Sequence, residues 1–125
     1  MIKIHTKKAP AAVGPYSQAI VSNGMVYTSG QIAINPLTNT IEAQTIEEQT
    51  EQVMKNLRAV LDTAGSSFDK AVKTTCFLAD MNDFAAFNEI YGKYFANIPA
   101  RSCVAVKTLP KNVLVEVEVI AESSL

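Results

Sequence analysis

Residues Pro99-Ala-Arg-Ser-Cys-Val-Ala-Val-Lys-Thr-Leu-Pro-Lys-Asn-Val-Leu-Val-Glu-Val-Glu-Val-Ile-Ala121 decide how the rest of the chain is read. They predict two strands joined by a short Pro-containing loop, a hairpin with Arg101 at the entry of its first strand. Glu116 falls in the middle of the second strand, in the most apolar part of the sequence. A buried carboxylate is costly unless something pairs with it or uses it. The second strand is apolar on both sides, Val113, Val115, Val117 and Val119 alternating with Leu114, Glu116, Glu118 and Ile120. Such a strand expects cover on both faces.

Working backward, Pro99 ends a helix expected over about Asn82 to Phe95, with Phe84, Phe87, Ile90, Tyr91, Tyr94 and Phe95 as its apolar stripe. Gly92 within it is tolerable if two elements pack closely there. Lys70 to Ala79 reads as a strand with Val72, Thr74, Cys76 and Leu78 on one face. Thr45 followed by Glu48 is a capping box. It opens a helix whose apolar positions are Ile46, Val53, Met54, Leu57, Val60, Leu61 and Ala64, with Gly65 at its C-terminal cap. Asn23-Gly24 between two β-prone runs marks a hairpin, and Met1 to His5 reads as a short strand. Ser29-Gly30-Gln31 ends the second hairpin strand, where Gly30 fits a bulge or a ligand close to the backbone.

The order hairpin, helix, strand, helix, hairpin predicts one α+β domain over residues 1–125, an α/β sandwich with a mixed β-sheet and two helices packed on one face. Two helices cover only one face of a sheet, so the two-faced last strand predicts a homo-oligomer.

Composition narrows the function. The chain has 125 residues, 48% hydrophobic, with 11 basic and 12 acidic residues. At that length roughly two thirds of the unfolded surface can be buried without disulfide or metal. The balanced charge and absence of a basic block argue against nucleic-acid and membrane partners. No apolar run approaches a membrane span and the N-terminus lacks a signal-peptide core, so a cytoplasmic location is expected. One histidine, His5, and two distant cysteines, Cys76 and Cys103, offer neither a grouped metal-ligand set nor a Ser-His-Asp arrangement. Both cysteines read as small buried hydrophobes. Glu118 reads as a solvated or subunit-contact carboxylate.

What remains is an Arg, a Glu and polar groups on β elements. Two roles are open to Arg101 and Glu116. They could form a salt bridge across the hairpin. Alternatively, Arg101 binds a substrate carboxylate through its guanidinium fork, leaving Glu116 free to handle water.

Gly14-Pro15-Tyr16-Ser17-Gln18-Ala19, Ser29-Gly30-Gln31, Arg101-Ser102-Cys103-Val104, Leu109-Pro110 and Val115-Glu116-Val117-Glu118 together resemble the Rid (YjgF) family. The arginine and the N-terminal motif resemble its RidA subgroup, the reactive-intermediate deaminases, and the likeness spans the whole chain. It implies a chorismate-mutase-like fold, a homotrimer, and active sites between subunits. It also implies cofactor-free and metal-free hydrolysis of 2-imino acids or enamines, released by PLP-dependent dehydratases, to 2-oxo acids and ammonia. By the family pattern Arg101 clamps the substrate carboxylate, assisted by the Cys103 backbone amide and the Ser29–Gly30 region. Glu116 orients or activates water, and Tyr16 and Asn88 line the pocket. An iminium carbon is already electrophilic, so positioning, water and a proton acceptor suffice. A non-catalytic regulatory module binding small carboxylates is the alternative from another class. RNA cleavage or translation inhibition is a weaker third, given the charge balance.

Overall fold

In the computed structural model, which describes residues 1–125, six strands form one sheet in the order β1-β2-β3-β6-β4-β5. They are β1 (Ile2–Ile4), β2 (Ala19–Ser22), β3 (Met25–Thr28), β4 (Ala71–Leu78), β5 (Ala100–Ala105) and β6 (Val115–Glu122). Every neighbouring pair is antiparallel except β4 and β5, so the sheet is mixed, as expected. Helices α1 (Ile46–Thr63) and α2 (Phe84–Tyr94) pack with one face of it around a common core.

Local chemistry explains most of these elements. Asn23 and Gly24 take φ of 52° and 76°, the left-handed pair that a type I′ turn between β2 and β3 requires. At the start of α1, Glu48 N donates to Thr45 Oγ1 at 3.1 Å and Thr45 N donates to Glu48 Oε1 at 3.3 Å, closing the capping box. At its end Gly65, with φ 68°, lets Ser66 N reach the Leu61 carbonyl at 2.9 Å and Gly65 N the Asp62 carbonyl at 3.1 Å. That is a Schellman closure. All the apolar positions expected of α1 are buried.

β6 lies between β3 and β4 and makes two ladders. Val115, Val117, Val119 and Ala121 are at most 1% exposed and meet the helices, whereas Glu116, Glu118 and Ile120 sit half-buried on the other face. That second face is only partly covered by the chain itself.

Four expectations are corrected. The final hairpin does not form: β4 separates β5 from β6. α2 connects β4 to β5, and a helical crossover makes its flanking strands parallel neighbours, which leaves the far edge of β4 for β6. Residues 106–114 carry the chain over the end of β4, fastened by Val106 N to the Leu78 carbonyl at 2.9 Å and Ala79 N to the Leu114 carbonyl at 3.0 Å. Val72 is 47% exposed rather than in line with Thr74, Cys76 and Leu78, because a bulge between Ala71 and Lys73 shifts the pairing there. Gly92 marks no close packing: nothing lies within 4 Å of where its Cβ would be. α2 also begins later than expected, after a 3-10 turn over Met81–Asp83 that Asp80 caps through Asn82 N at 2.9 Å. Neither helix is long and apolar enough to cross a membrane.

Candidate functional site

The residues singled out in the sequence fall into two groups, one on each face of the sheet. Glu116 anchors the first. It stands opposite Phe77 of β4, on the face away from the helices. On its other flank residues 29–31 continue the line of β3, with Gln31 bridging Val117 through bonds of 2.9 and 3.2 Å. This brings Gly30 against the Glu116 carboxyl group. A Cβ at Gly30 would sit 2.7 Å from Glu116 Cδ and 2.9 Å from Cγ, inside van der Waals contact. Glycine thus leaves the room that the Glu116 carboxyl occupies, and a larger residue would have to displace that side chain.

Glu116, Gly30, Tyr16, Ile32, Ile34 and Lys111 line a cavity of about 170 Å³. Its walls are loops held by buried amides. Gln18 accepts from Thr6 N at 2.7 Å and donates to the Pro10 carbonyl at 2.8 Å, fixing the segment before Tyr16. Asn56 of α1 donates to the carbonyls of Ile32 at 3.0 Å and Ile34 at 2.9 Å. Ser29 donates its hydroxyl to the Ser17 carbonyl at 2.6 Å, so it fastens the Tyr16 segment. Burial, and secondarily Glu118 beside it, push the Glu116 carboxyl above the usual carboxylate range.

Gly30→Ala tests the first group. The far end of Glu116 is what a methyl at Gly30 meets first, so the fold should absorb it by displacing that carboxyl, at a cost of about 1 kcal/mol. The expected result is near-native thermal unfolding with the Glu116 carboxyl titrating closer to its ordinary range, read by carbon NMR. A Glu116 titration identical to the parent would contradict the contact.

Arg101, Cys103 and Asn88 form the second group. On β5, Arg101 is in register with Thr74 and Cys103 with Cys76, so both face the helix side. Arg101 Nη1 donates to Asn88 Oδ1 at 2.7 Å, and its guanidinium carbon lies 4.8 Å from the Tyr91 ring centre and 5.4 Å from that of Phe84. Tyr91 and Thr74 hydroxyls are hydrogen-bonded at 2.7 Å. Burial pushes the Cys103 thiol upward and outweighs the opposing pull of Arg101. Cys76, deeper still, is pushed up to about 12 by burial. Neither cysteine is an activated thiolate.

The sheet itself separates Arg101 from Glu116, so the salt bridge open to them in the sequence does not exist within the chain. The structure joins Tyr16 and Gly30 to Glu116, and Asn88 and Cys103 to Arg101. Sequence reasoning passed over Tyr91, Thr74 and Phe84, which fix Arg101, and Gln18 and Asn56, which fix the cavity walls. Asn56 carried a signal, being a polar residue among the buried positions of α1. Tyr91 carried none that set it apart from five other stripe residues.

A family model described as endoribonuclease L-PSP matches residues 6–123. A Lactococcus lactis protein carrying the name regulator AldR is 58% identical over 120 residues, covering 95% of each chain. A mouse 2-iminobutanoate/2-iminopropanoate deaminase is 46% identical over 119 residues, covering 94% of this chain and 88% of its own. Among solved structures, a Thermotoga maritima protein with an endoribonuclease name superposes with a TM-score of 0.96 at 47% identity, covering 100% of this chain and 99% of its own. Escherichia coli TdcF with bound serine superposes with a TM-score of 0.93 at 41% identity, covering 99% and 100%.

Proposed function

We propose, from the fact that this chain belongs to the endoribonuclease L-PSP family, also called the Rid family, that it is a deaminase of reactive 2-imino acids and their enamine tautomers. The mouse relative named for that activity supports the reading. The substrates are 2-iminobutanoate and 2-iminopropanoate, the latter in exchange with 2-aminoacrylate, and the products are 2-oxo acids and ammonia.

The observation that carries the proposal is the placement of Glu116 against Gly30 in a small cavity, with an arginine already oriented on the opposite face. Arg101 grips the substrate carboxylate through the nitrogens that Asn88 leaves free, and the Cys103 backbone amide assists. Glu116 takes a proton from water as its oxygen bonds to C2 of the iminium. Glu116 then returns that proton to the carbinolamine nitrogen, the C2–N bond breaks to release ammonia, and the C2 hydroxyl gives its proton to the departing ammonia as the carbonyl forms. Tyr16 and Gly30 bound the cavity in which the water sits. Because the sheet divides the two groups, a complete site takes Arg101 from one copy and Glu116 from another. We assign the homotrimer implied by the family likeness as the assembly that joins them. The net charge of −1 and the cavity of about 170 Å³ suit a small metabolite better than an RNA strand.

Adding the protein to a threonine dehydratase reaction should accelerate 2-oxobutanoate formation, followed by stopped-flow loss of imine absorbance. The regulator name of one relative favours a second reading, in which the same cleft only binds small carboxylates. Binding of 2-oxobutanoate without any acceleration of imine loss would replace the first reading with the second.

A further inference from the structure

The Arg101 guanidinium is held by the Asn88 oxygen and by the rings of Phe84 and Tyr91, of which Tyr91 lies nearer. This tyrosine is buried in α2 and its ring lies 4.8 Å from the guanidinium carbon. The ring is fixed from several directions. Its hydroxyl is hydrogen-bonded to Thr74 Oγ1 at 2.7 Å. Phe95 stacks on it with ring centres 4.5 Å apart, and Phe87 packs at 5.6 Å. Thr74 is the register partner of Arg101 on the adjacent strand and also accepts from the Cys76 thiol at 3.9 Å. The same pair of strands therefore carries both the latch for the ring and the arginine that rests on it.

We propose that Tyr91, latched by Thr74, is the positioning residue that aims Arg101 and so makes the cleft selective for a planar carboxylate. An arginine free to rotate must lose several torsions on binding, whereas one lying on a fixed aromatic face and tied at Nη1 has lost them already. The Phe84 ring at 5.4 Å and the Asn88 oxygen at 2.7 Å complete the restraint, leaving Nη2 and Nε for a ligand. Burial keeps the Tyr91 hydroxyl above its ordinary range, so the latch stays protonated at neutral pH. The inference rests on Arg101 being the carboxylate clamp of the proposed deaminase.

The test compares two inert ligands, 2-oxobutanoate and its neutral isostere 2-oxobutanamide, by calorimetry and NMR titration. Parent protein, Tyr91→Leu, Tyr91→Phe and Thr74→Val are titrated with each. Tyr91→Leu should weaken the acid about tenfold, as expected for a partly desolvated cation–π contact. Its binding of the amide should stay within twofold of the parent. KM for the imine should rise with the acid constant while kcat changes less than threefold. Tyr91→Phe and Thr74→Val keep the ring but cut its latch, and each should weaken the acid about threefold, between the parent and Tyr91→Leu, with the amide unchanged. Equal weakening of acid and amide would mean a merely structural residue and overturn the proposal. If Tyr91→Leu does not fold, the two latch variants decide: parent-like acid binding in both overturns it. Absence of imine turnover by the parent protein would count against the deaminase reading, yet an acid-specific loss in these titrations would still support the role of Tyr91.

Discussion

Glu116→Gln should lower kcat for imine hydrolysis by about 10²–10⁴-fold while leaving binding of 2-oxobutanoate little changed. The amide fills the same volume against Gly30 but cannot accept the proton of water. The same substitution should not lower thermal stability at neutral pH, and is expected to raise it. The Glu116 carboxyl is pushed upward in the folded protein by burial and by Glu118. A group whose folded pKa is raised contributes stability that is fully present below its unfolded pKa and lost as pH rises through the folded one. Above its folded pKa the ionised carboxylate is therefore a net cost that glutamine removes. The advantage of the variant should shrink as pH falls through the folded carboxylate pKa, and kcat of the parent enzyme should fall over that interval. A Gln variant with parent-like turnover would remove Glu116 from the chemistry.

Arg101→Ala and Glu116→Gln, each nearly inactive alone, should regain activity when unfolded together in equal amounts and refolded. In a ring of like subunits, a site is complete only if its arginine donor and its carboxylate donor each carry the intact residue. Random assembly gives this at about one site in four, so about a quarter of parent activity is expected. The single variants refolded separately should stay at their residual level, with Arg101→Ala reduced about tens to thousands of fold by loss of its charge partner. Complementation absent from a mixture shown by mass spectrometry to contain mixed oligomers would mean that both groups act within one copy. The sheet between Arg101 and Glu116 makes that outcome unexpected.

Which parts of this were legible in the sequence follows from how local each signal is. Thr45 with Glu48, and Asn23 with Gly24, specify their cap and turn through bonds spanning a few residues, and both form as read. Arg101 and Glu116 were visible as chemically conspicuous residues on strands. Their mutual placement was not visible, because strand adjacency depends on the α2 crossover and on which edge of β4 remains free. The bulge at Val72 was hidden for a similar reason: the register of Ala71 and Lys73 is set by β6, far along the chain. Gly30 could be noted as a close-approach position, yet its neighbour could be found only once residues 29–31 lay beside β6. The support of Arg101 by Tyr91 needs three separate elements to converge, and a stripe of aromatics at helical spacing does not say which ring will meet a guanidinium.

The amides that brace the Glu116 cavity have a consequence for how the protein responds to its surroundings. Gln18 ties residues 6–10, Asn56 ties Ile32 and Ile34, and Gln49 accepts from Leu114 N at 2.8 Å and donates to the Ala43 carbonyl at 3.2 Å. None of these side chains carries a charge or titrates across the pH range of a cell. Ionic strength weakens a brace made of ion pairs, but it has little purchase on neutral amides bonded to backbone. The shape of the chamber is thus decoupled from acidity and salt, and the only ionisable groups among its lining residues are Glu116, Lys111 and the Tyr16 phenol. Environmental sensitivity is concentrated in the residues that face the water, while the walls around them stay indifferent.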